Sequence, residues 1–220
     1  ILHALPPKLE SLSTQACPVP LDCVQTITER LQQLQSLTMR CIVNSRERLI
    51  EYRGNFENPD AVDLSSLKLL TKLHHLSVFD PLDLSPIASM RDLESLSIHA
   101  DDFSGHRLQP LRKLPRLLTL KLDEGKVDSA TAAQLPPSLT ALTLAYMPLS
   151  ADALAAIQKL RQGVRELHLE RVPDLPSALQ KLQPIAQARK LVVRVSFEKP
   201  VEGKNRWGDR KSTRLNSSHT

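Results

Sequence analysis

An α/β solenoid is the fold class this sequence predicts, with a curved parallel sheet on its concave face and helices and turns on its convex face. Three observations predict it. First, a six-residue apolar phrase returns along the chain. Its clearest copies are Leu139-Thr-Ala-Leu142-Thr-Leu144, Leu93-Glu-Ser-Leu96-Ser-Ile98, Leu117-Leu-Thr-Leu120-Lys-Leu122 and Leu73-His-His-Leu76-Ser-Val78. Weaker copies centre on Leu12, Leu37, Leu167 and Leu191. Second, the central leucines at 12, 37, 76, 96, 120, 142, 167 and 191 are separated by 25, 39, 20, 24, 22, 25 and 24 residues. A period in the twenties indicates stacked supersecondary units, none of which can bury its apolar face alone. Third, the 220 residues are 41% hydrophobic but only 3% aromatic, so aliphatic side chains must build the core.

The elements follow from local pattern. Residues 1–16 read as a truncated first repeat. Pro20 to Leu34 reads as a helix, because Val24, Ile27, Leu31 and Leu34 recur at helical spacing and Asp22 can cap it. A strand over Leu37–Cys41 follows. Residues 44–63 are polar and turn-rich, carry no copy of the phrase, and read as an irregular insertion that accounts for the 39-residue gap. From Leu64 the rhythm is steady, with strands expected near 75–79, 95–99, 119–123, 141–145, 166–170 and 190–195. Between 80 and 92 only a turn or two of helix fits. A short helix is expected over Asp128–Leu135. Ser150 to Gly163 forms the best helix of the chain, with a Ser cap, an Ala-rich middle and a Gly stop. A further helix over Ser177–Ala188 is expected to bend or break at Pro184.

The phrase resembles the strand segment of the leucine-rich repeat, L-x-x-L-x-L, over roughly residues 5 to 195. The resemblance implies a solenoid of about eight repeats. In that family the phrase continues to a buried Asn or Cys that ties neighbouring turns together. Here that position holds Cys17, Ile42, Pro81, Asp101, Gly125, Met147 and Val172, of which only Cys17 and Asp101 fit. The repeats are therefore degenerate. The domain is expected over 1–198, with a disordered linker over 199–208. The tail 209–220 resembles the translation of a sequencing adapter. The chain begins at Ile1 and is read as part of a longer protein.

The formal charge is +5. Residues 209–220 hold three Lys or Arg and one Asp, a net +2, so the remainder carries +3. This mild basicity does not by itself argue for nucleic acid. Arg112, Lys113, Arg116, Lys121 and Lys126 form the densest basic region, but no aromatic residues alternate with them to stack bases. Three cysteines, Cys17, Cys23 and Cys41, form no C-x-x-C and suggest neither a disulfide framework nor a zinc site. No run of 18 apolar residues and no charged-then-apolar leader appears. With no Cys-rich caps either, the cytoplasm is favoured.

Strand alternation assigns the faces. The residues between the leucines point to the concave surface, which presents a protein-binding face. Its expected partner-binding residues are Arg40, His75, Phe79, His99, Lys121, Asp123, Tyr146, His168 and Glu170. Aromatic and Arg side chains dominate binding energy when buried against a partner. The pairs Asp101–Asp102 and Asp123–Glu124 are expected in solvated turns. The spacing allows His75 and His99 to be neighbours across one repeat step, yet no carboxylate or thiol shares their columns at ligand spacing. No G-x-S-x-G turn and no glycine-rich phosphate loop occurs. The expectation is therefore a non-catalytic protein–protein interaction module, without cofactor, metal or small-molecule substrate. It would form part of a larger protein. The resemblance also implies, as alternatives, the substrate-recognition part of a ubiquitin ligase or a receptor; weak nucleic-acid binding through 112–126 is the other alternative.

Overall fold

The computed structural model describes residues 5–14, 19–39, 42–43, 65–79, 83–100, 102–103, 107–160, 163–197 and 211–214. Eight parallel strands lie side by side in chain order: β1 (Ser11–Ser13), β3 (Ser36–Thr38), β5 (His75–Phe79), β6 (Ser95–His99), β7 (Thr119–Asp123), β8 (Ala141–Ala145), β9 (Glu166–Glu170) and β10 (Val192–Phe197). A separate parallel pair joins β2 (Val19–Pro20) to β4 (Ile42–Val43). A last strand, β11 (Lys211–Arg214), pairs antiparallel with β10, within the tail that resembles an adapter. The insertion 44–63 and the linker 199–208 lie outside the described residues. The fold is a solenoid of the leucine-rich-repeat type: each of the eight parallel strands leads to the next through a crossover, and neighbours pair in register.

The register aligns the central leucines. Leu12, Leu37, Leu76, Leu96, Leu120, Leu142 and Leu167 are successive partners. The eighth is Val193, not Leu191. The reason lies in the preceding helix. Lys190 ends it in the left-handed region (φ 54°), and the Leu191 N–H donates to the Ala186 carbonyl. Leu191 is thus held as the last residue of the helix cap, and the strand phrase starts two residues later. Elsewhere each repeat opens the same way. The amides of Glu94 and Ser95 both donate to the His74 carbonyl, those of Leu118 and Thr119 to that of Glu94, and those of Thr140 and Ala141 to that of Leu118.

The core is a stack of aliphatic layers. Leu73, Leu76, Leu93, Leu96, Leu117, Leu120, Leu139 and Leu142 are all buried, each layer covering the next. Phe103 is the largest fully buried side chain. It fits because Gly125 leaves space: a Cβ there would stand 2.4 Å from the Ala100 carbonyl oxygen and 2.8 Å from the Phe103 ring. Gly125 also has φ +66°, where L side chains are disfavoured.

The returning segments differ along the chain. Before β5, β6 and β7 they are 3-10 helices, over Ser65–Leu69, Ser85–Ser89 and Gln109–Lys113. Pro86 and Pro110 open the second and third, where a missing N–H costs nothing. The later returns are α-helices. In α2 (Ser129–Gln134) Asp128 and Thr131 form a reciprocal capping box. The helix α3 (Ala151–Gln158) starts at the expected cap, with Ser150 accepting from the Ala153 N–H at 3.1 Å. It ends short of Gly163, which instead lies against the Leu139 and Pro137 carbonyls; a Cβ there would meet them at 3.4 and 3.5 Å. The first helix, α1 (Leu21–Arg30), is also shorter than its apolar pattern, and Asp22 falls inside it rather than ahead of it. Leu31 and Leu34 are buried beyond its end, held by 2.9 Å and 3.0 Å backbone bonds. The fourth helix, α4 (Leu175–Arg189), runs unbroken through Pro184. Pro184 is exposed, as is Gln180, the residue one turn earlier whose carbonyl loses its usual N–H partner.

Side chains on α2 and after it do the stitching that the missing Asn column would do. Thr131 Oγ1 donates to the Phe103 carbonyl (3.1 Å), and Gln134 Oε1 accepts from the Leu108 N–H (3.0 Å). Ser138 Oγ reaches the Leu114 and Leu117 carbonyls (3.2 and 2.8 Å). Each bond crosses from one repeat to the one before. Thr131 and Gln134 are two of the three buried polar residues among the described residues.

Candidate functional site: the concave sheet face

Three columns of side chains cross the concave face, set by the register. The first runs Ser11, Ser36, His75, Ser95, Thr119, Ala141, Glu166, Val192. The second runs Ser13, Thr38, Ser77, Ser97, Lys121, Thr143, His168, Arg194. The third runs Phe79, His99, Asp123, Ala145, Glu170, Ser196. Up to β6 the second column is uncharged and hydroxylic. From β7 onward charged residues enter on β7, β9 and β10, while β8 presents only Ala and Thr.

The sequence-predicted residues fall as follows. Phe79 and His99 are direct neighbours and stack, ring centroids 4.8 Å apart and 29° from parallel. His75 is not a neighbour of His99: it sits in the first column beside Ser95, because Phe79 is the residue level with His99. Lys121 lies between two carboxylates. It contacts Asp123 at 3.8 Å and makes a short ion pair with Glu170, two strands away. That reach across β8 is open because β8 presents only Ala141, Thr143 and Ala145, and Ala145 is fully buried beneath it. Asp123 is therefore a strand residue on the sheet face, 18% exposed in its side chain, and not part of a solvated turn. His168 Nε2 lies 3.1 Å from Glu166 Oε2, and Arg194 donates to Glu166 Oε1 at 3.2 Å. Arg40 lies outside the described residues.

Tyr146 is not on the sheet floor. It follows β8 in the left-handed region, φ 54°, and is 43% exposed. Two other residues share its place. Glu124 (φ 64°) follows β7 and Arg171 (φ 52°) follows β9. Their amides donate to the next strand: Glu124 to the Ala145 carbonyl (2.8 Å), Tyr146 to that of Glu170 (2.9 Å) and Arg171 to that of Ser196 (3.2 Å). Three non-glycine residues thus stand in line along one rim of the face, one per strand. The Glu124 carboxylate lies 3.2 Å from His99 Nε2. The Arg171 guanidinium sits 4.8 Å from the Tyr146 ring centroid and also donates to its hydroxyl. Sequence reasoning had no signal for this rim, since positive φ in Glu, Tyr or Arg is not written in residue type.

The basic region of 112–126 does not form one surface. Arg112 and Lys113 end a 3-10 helix, Arg116 pairs with Asp92 of the preceding repeat at 2.8 Å, and Lys121 is on the concave face. Among the described residues no group of three or more His, Cys, Asp or Glu could hold a metal ion, and no helix is long and apolar enough to cross a membrane.

No family model and no curated protein matches the chain. Among solved structures it is similar to internalin C2 from Listeria monocytogenes str. 4b F2365. The identity is 27% over 55% of this chain and 55% of that one, with a TM-score of 0.34. It is also similar to an internalin (InlF) from the same strain, at 19% identity over 78% of this chain and 63% of that one, with a TM-score of 0.32. The chain spans about half to two thirds of the length of these proteins.

Proposed function

We propose that this chain is a non-catalytic protein-interaction module, part of a larger protein, that binds its partner on the concave face from β5 to β10. One observation carries this reading. The exposed Tyr146 is held in a backbone conformation that costs about 1–2 kcal/mol for an L residue, beneath an Arg that stacks on it. Strain kept at an exposed aromatic is a mark of a functional position. Tyr and Arg are the residues on which binding energy concentrates. His99 and Phe79, stacked on each other two and three strands before, add a second aromatic platform on the same face.

The test places a photo-crosslinking residue at Tyr146 and, as a control, at the exposed convex position Lys181. The captured protein is identified, purified and titrated. The reading expects capture from position 146 alone and saturable binding that falls at least tenfold in the Phe79→Ser/Tyr146→Ser double variant. Unchanged affinity in a folded double variant rejects the concave site.

An alternative reading makes the module the substrate-recognition part of a ubiquitin ligase or a receptor. Nucleic-acid binding through residues 112–126 is the less favoured reading, because Arg116 and Lys121 are engaged with Asp92 and Glu170. It requires affinity that falls steeply between low and moderate salt. A cytoplasmic location is part of the proposal and is checked by tagging the full-length protein.

A further inference from the structure

The rim built by Glu124, Tyr146 and Arg171 carries an inference that rests on the concave-face reading and makes it specific. The three residues have nearly the same φ, between 52° and 64°, and each N–H is tied to the following strand. Their side chains therefore leave the backbone in parallel, one strand spacing apart, about 4.8 Å. All three are exposed. Read along the solenoid, the rim is acidic at β7, aromatic at β8 and basic at β9. Asp123, the strand residue just before Glu124, belongs to the floor, where Lys121 contacts it at 3.8 Å, and the Glu124 carboxylate lies 3.2 Å from His99 Nε2. The two charges nearest the rim on the floor, Lys121 and Glu170, pair with each other.

Spacing chooses the shape of the complement. From Glu124 to Arg171 is two strand spacings, about 9.6 Å. An extended chain lying along the solenoid offers same-side residues every ~6.8 Å, so its second step overshoots to about 13.6 Å. An α-helix rises about 1.5 Å per residue, which places residue i+3 or i+4 at about 4.5–6 Å and residue i+7 at about 10.5 Å on the same face. The helix matches both intervals. Charge complementarity then sets its residues: basic at i against Glu124, apolar at i+3 or i+4 on the Tyr146 ring, and acidic at i+7 against Arg171.

We propose that the rim receives an amphipathic helix of a protein partner, read as basic, apolar, acidic over two turns. The probes are alanine-based 18-residue helical peptides with Lys, Leu and Glu at i, i+4 and i+7, and two companions in which the charged pair is Lys/Lys or Glu/Glu. A fourth peptide repeats the first with a central Pro that prevents the helix. Amide chemical-shift titration measures each affinity and maps it to Glu124, Tyr146 and Arg171. Because a helix can lie in either direction, the like-charged companions, not a reversed sequence, are the controls.

The native protein is expected to bind the Lys/Glu peptide about tenfold more tightly than either companion, and the Pro peptide at least tenfold more weakly. In Arg171→Glu the preference passes to the Lys/Lys peptide, and in Glu124→Lys to the Glu/Glu peptide. Equal affinities, an unmoved preference in both variants, or absence of binding overturns the proposal. Equal binding of the Pro peptide overturns the helix in favour of an extended segment. The concave-face reading fails separately, when the crosslinked partner is indifferent to the Phe79/Tyr146 double variant.

Discussion

The strands from β3 to β6 and those from β7 to β10 are built from the same phrase yet differ on both sides of the sheet. The earlier group returns through 3-10 helices and shows a hydroxyl column, Thr38, Ser77 and Ser97, on its concave side. The later group returns through α2, α3 and α4 and shows Lys121, Asp123, Glu166, His168, Glu170 and Arg194. The change happens at one place, around β7. Below the sheet, stitching by Thr131, Gln134 and Ser138 begins there; above it, the left-handed rim begins there. The lesson is that the leucines specify the stack, while the residues between them and the returns decide what a given stretch does.

The sharpest way to break the comparison is at the seam. Gly125→Ala forces a Cβ to within 2.4 Å of a carbonyl oxygen at positive φ, and a loss of about 3 kcal/mol or more is expected in denaturant unfolding. Next come the stitches. Gln134→Leu leaves the buried Leu108 N–H without its acceptor, and a loss of about 1–3 kcal/mol is expected. Ser77→Ala and Ser97→Ala in the earlier group should stay within about 0.5 kcal/mol, as half-exposed positions with no comparable role. If the serines cost as much as Gln134, the two groups do not differ in the way described.

The charged floor offers a smaller effect. Lys121→Met removes the cation shared by Asp123 and Glu170; at their partial exposure a loss of roughly 0.2–1 kcal/mol is expected, diminishing as salt is added. Smallest is Tyr146→Asn. Asn tolerates the left-handed region, so thermal stability should hold or rise by up to about 1 kcal/mol while partner affinity falls. A variant that loses stability instead indicates that Tyr146 serves the fold and not a partner.

Much of this was legible in the residues. Strict alternation around each central Leu placed seven of eight strands in register and put Phe79, His99, Lys121, Asp123, His168 and Glu170 on one face. What escaped was whatever needed two repeats at once. Lys121 and Glu170 are 49 residues apart and meet because β8 is small, a fact visible in Ala141 and Ala145 only once the strand order is known. The slip from Leu191 to Val193 escaped because the pattern of α4 runs into the next strand without a break, and a left-handed Lys190 decides where one ends. Pro184 suggested an interruption, but a proline on the water side of a helix removes one bond that solvent replaces.

The bonds from Thr131, Gln134 and Ser138 have a bearing on how the chain assembles. In a linear stack, order spreads from wherever adjacent units first hold each other. Those three side chains make the segment between Phe103 and Leu144 the place where early structure would persist, with growth outward in both directions. Trimming from the first strand should then leave a shortened but cooperative remainder, whereas a cut between Leu108 and Ser138 should leave two pieces that do not order by themselves.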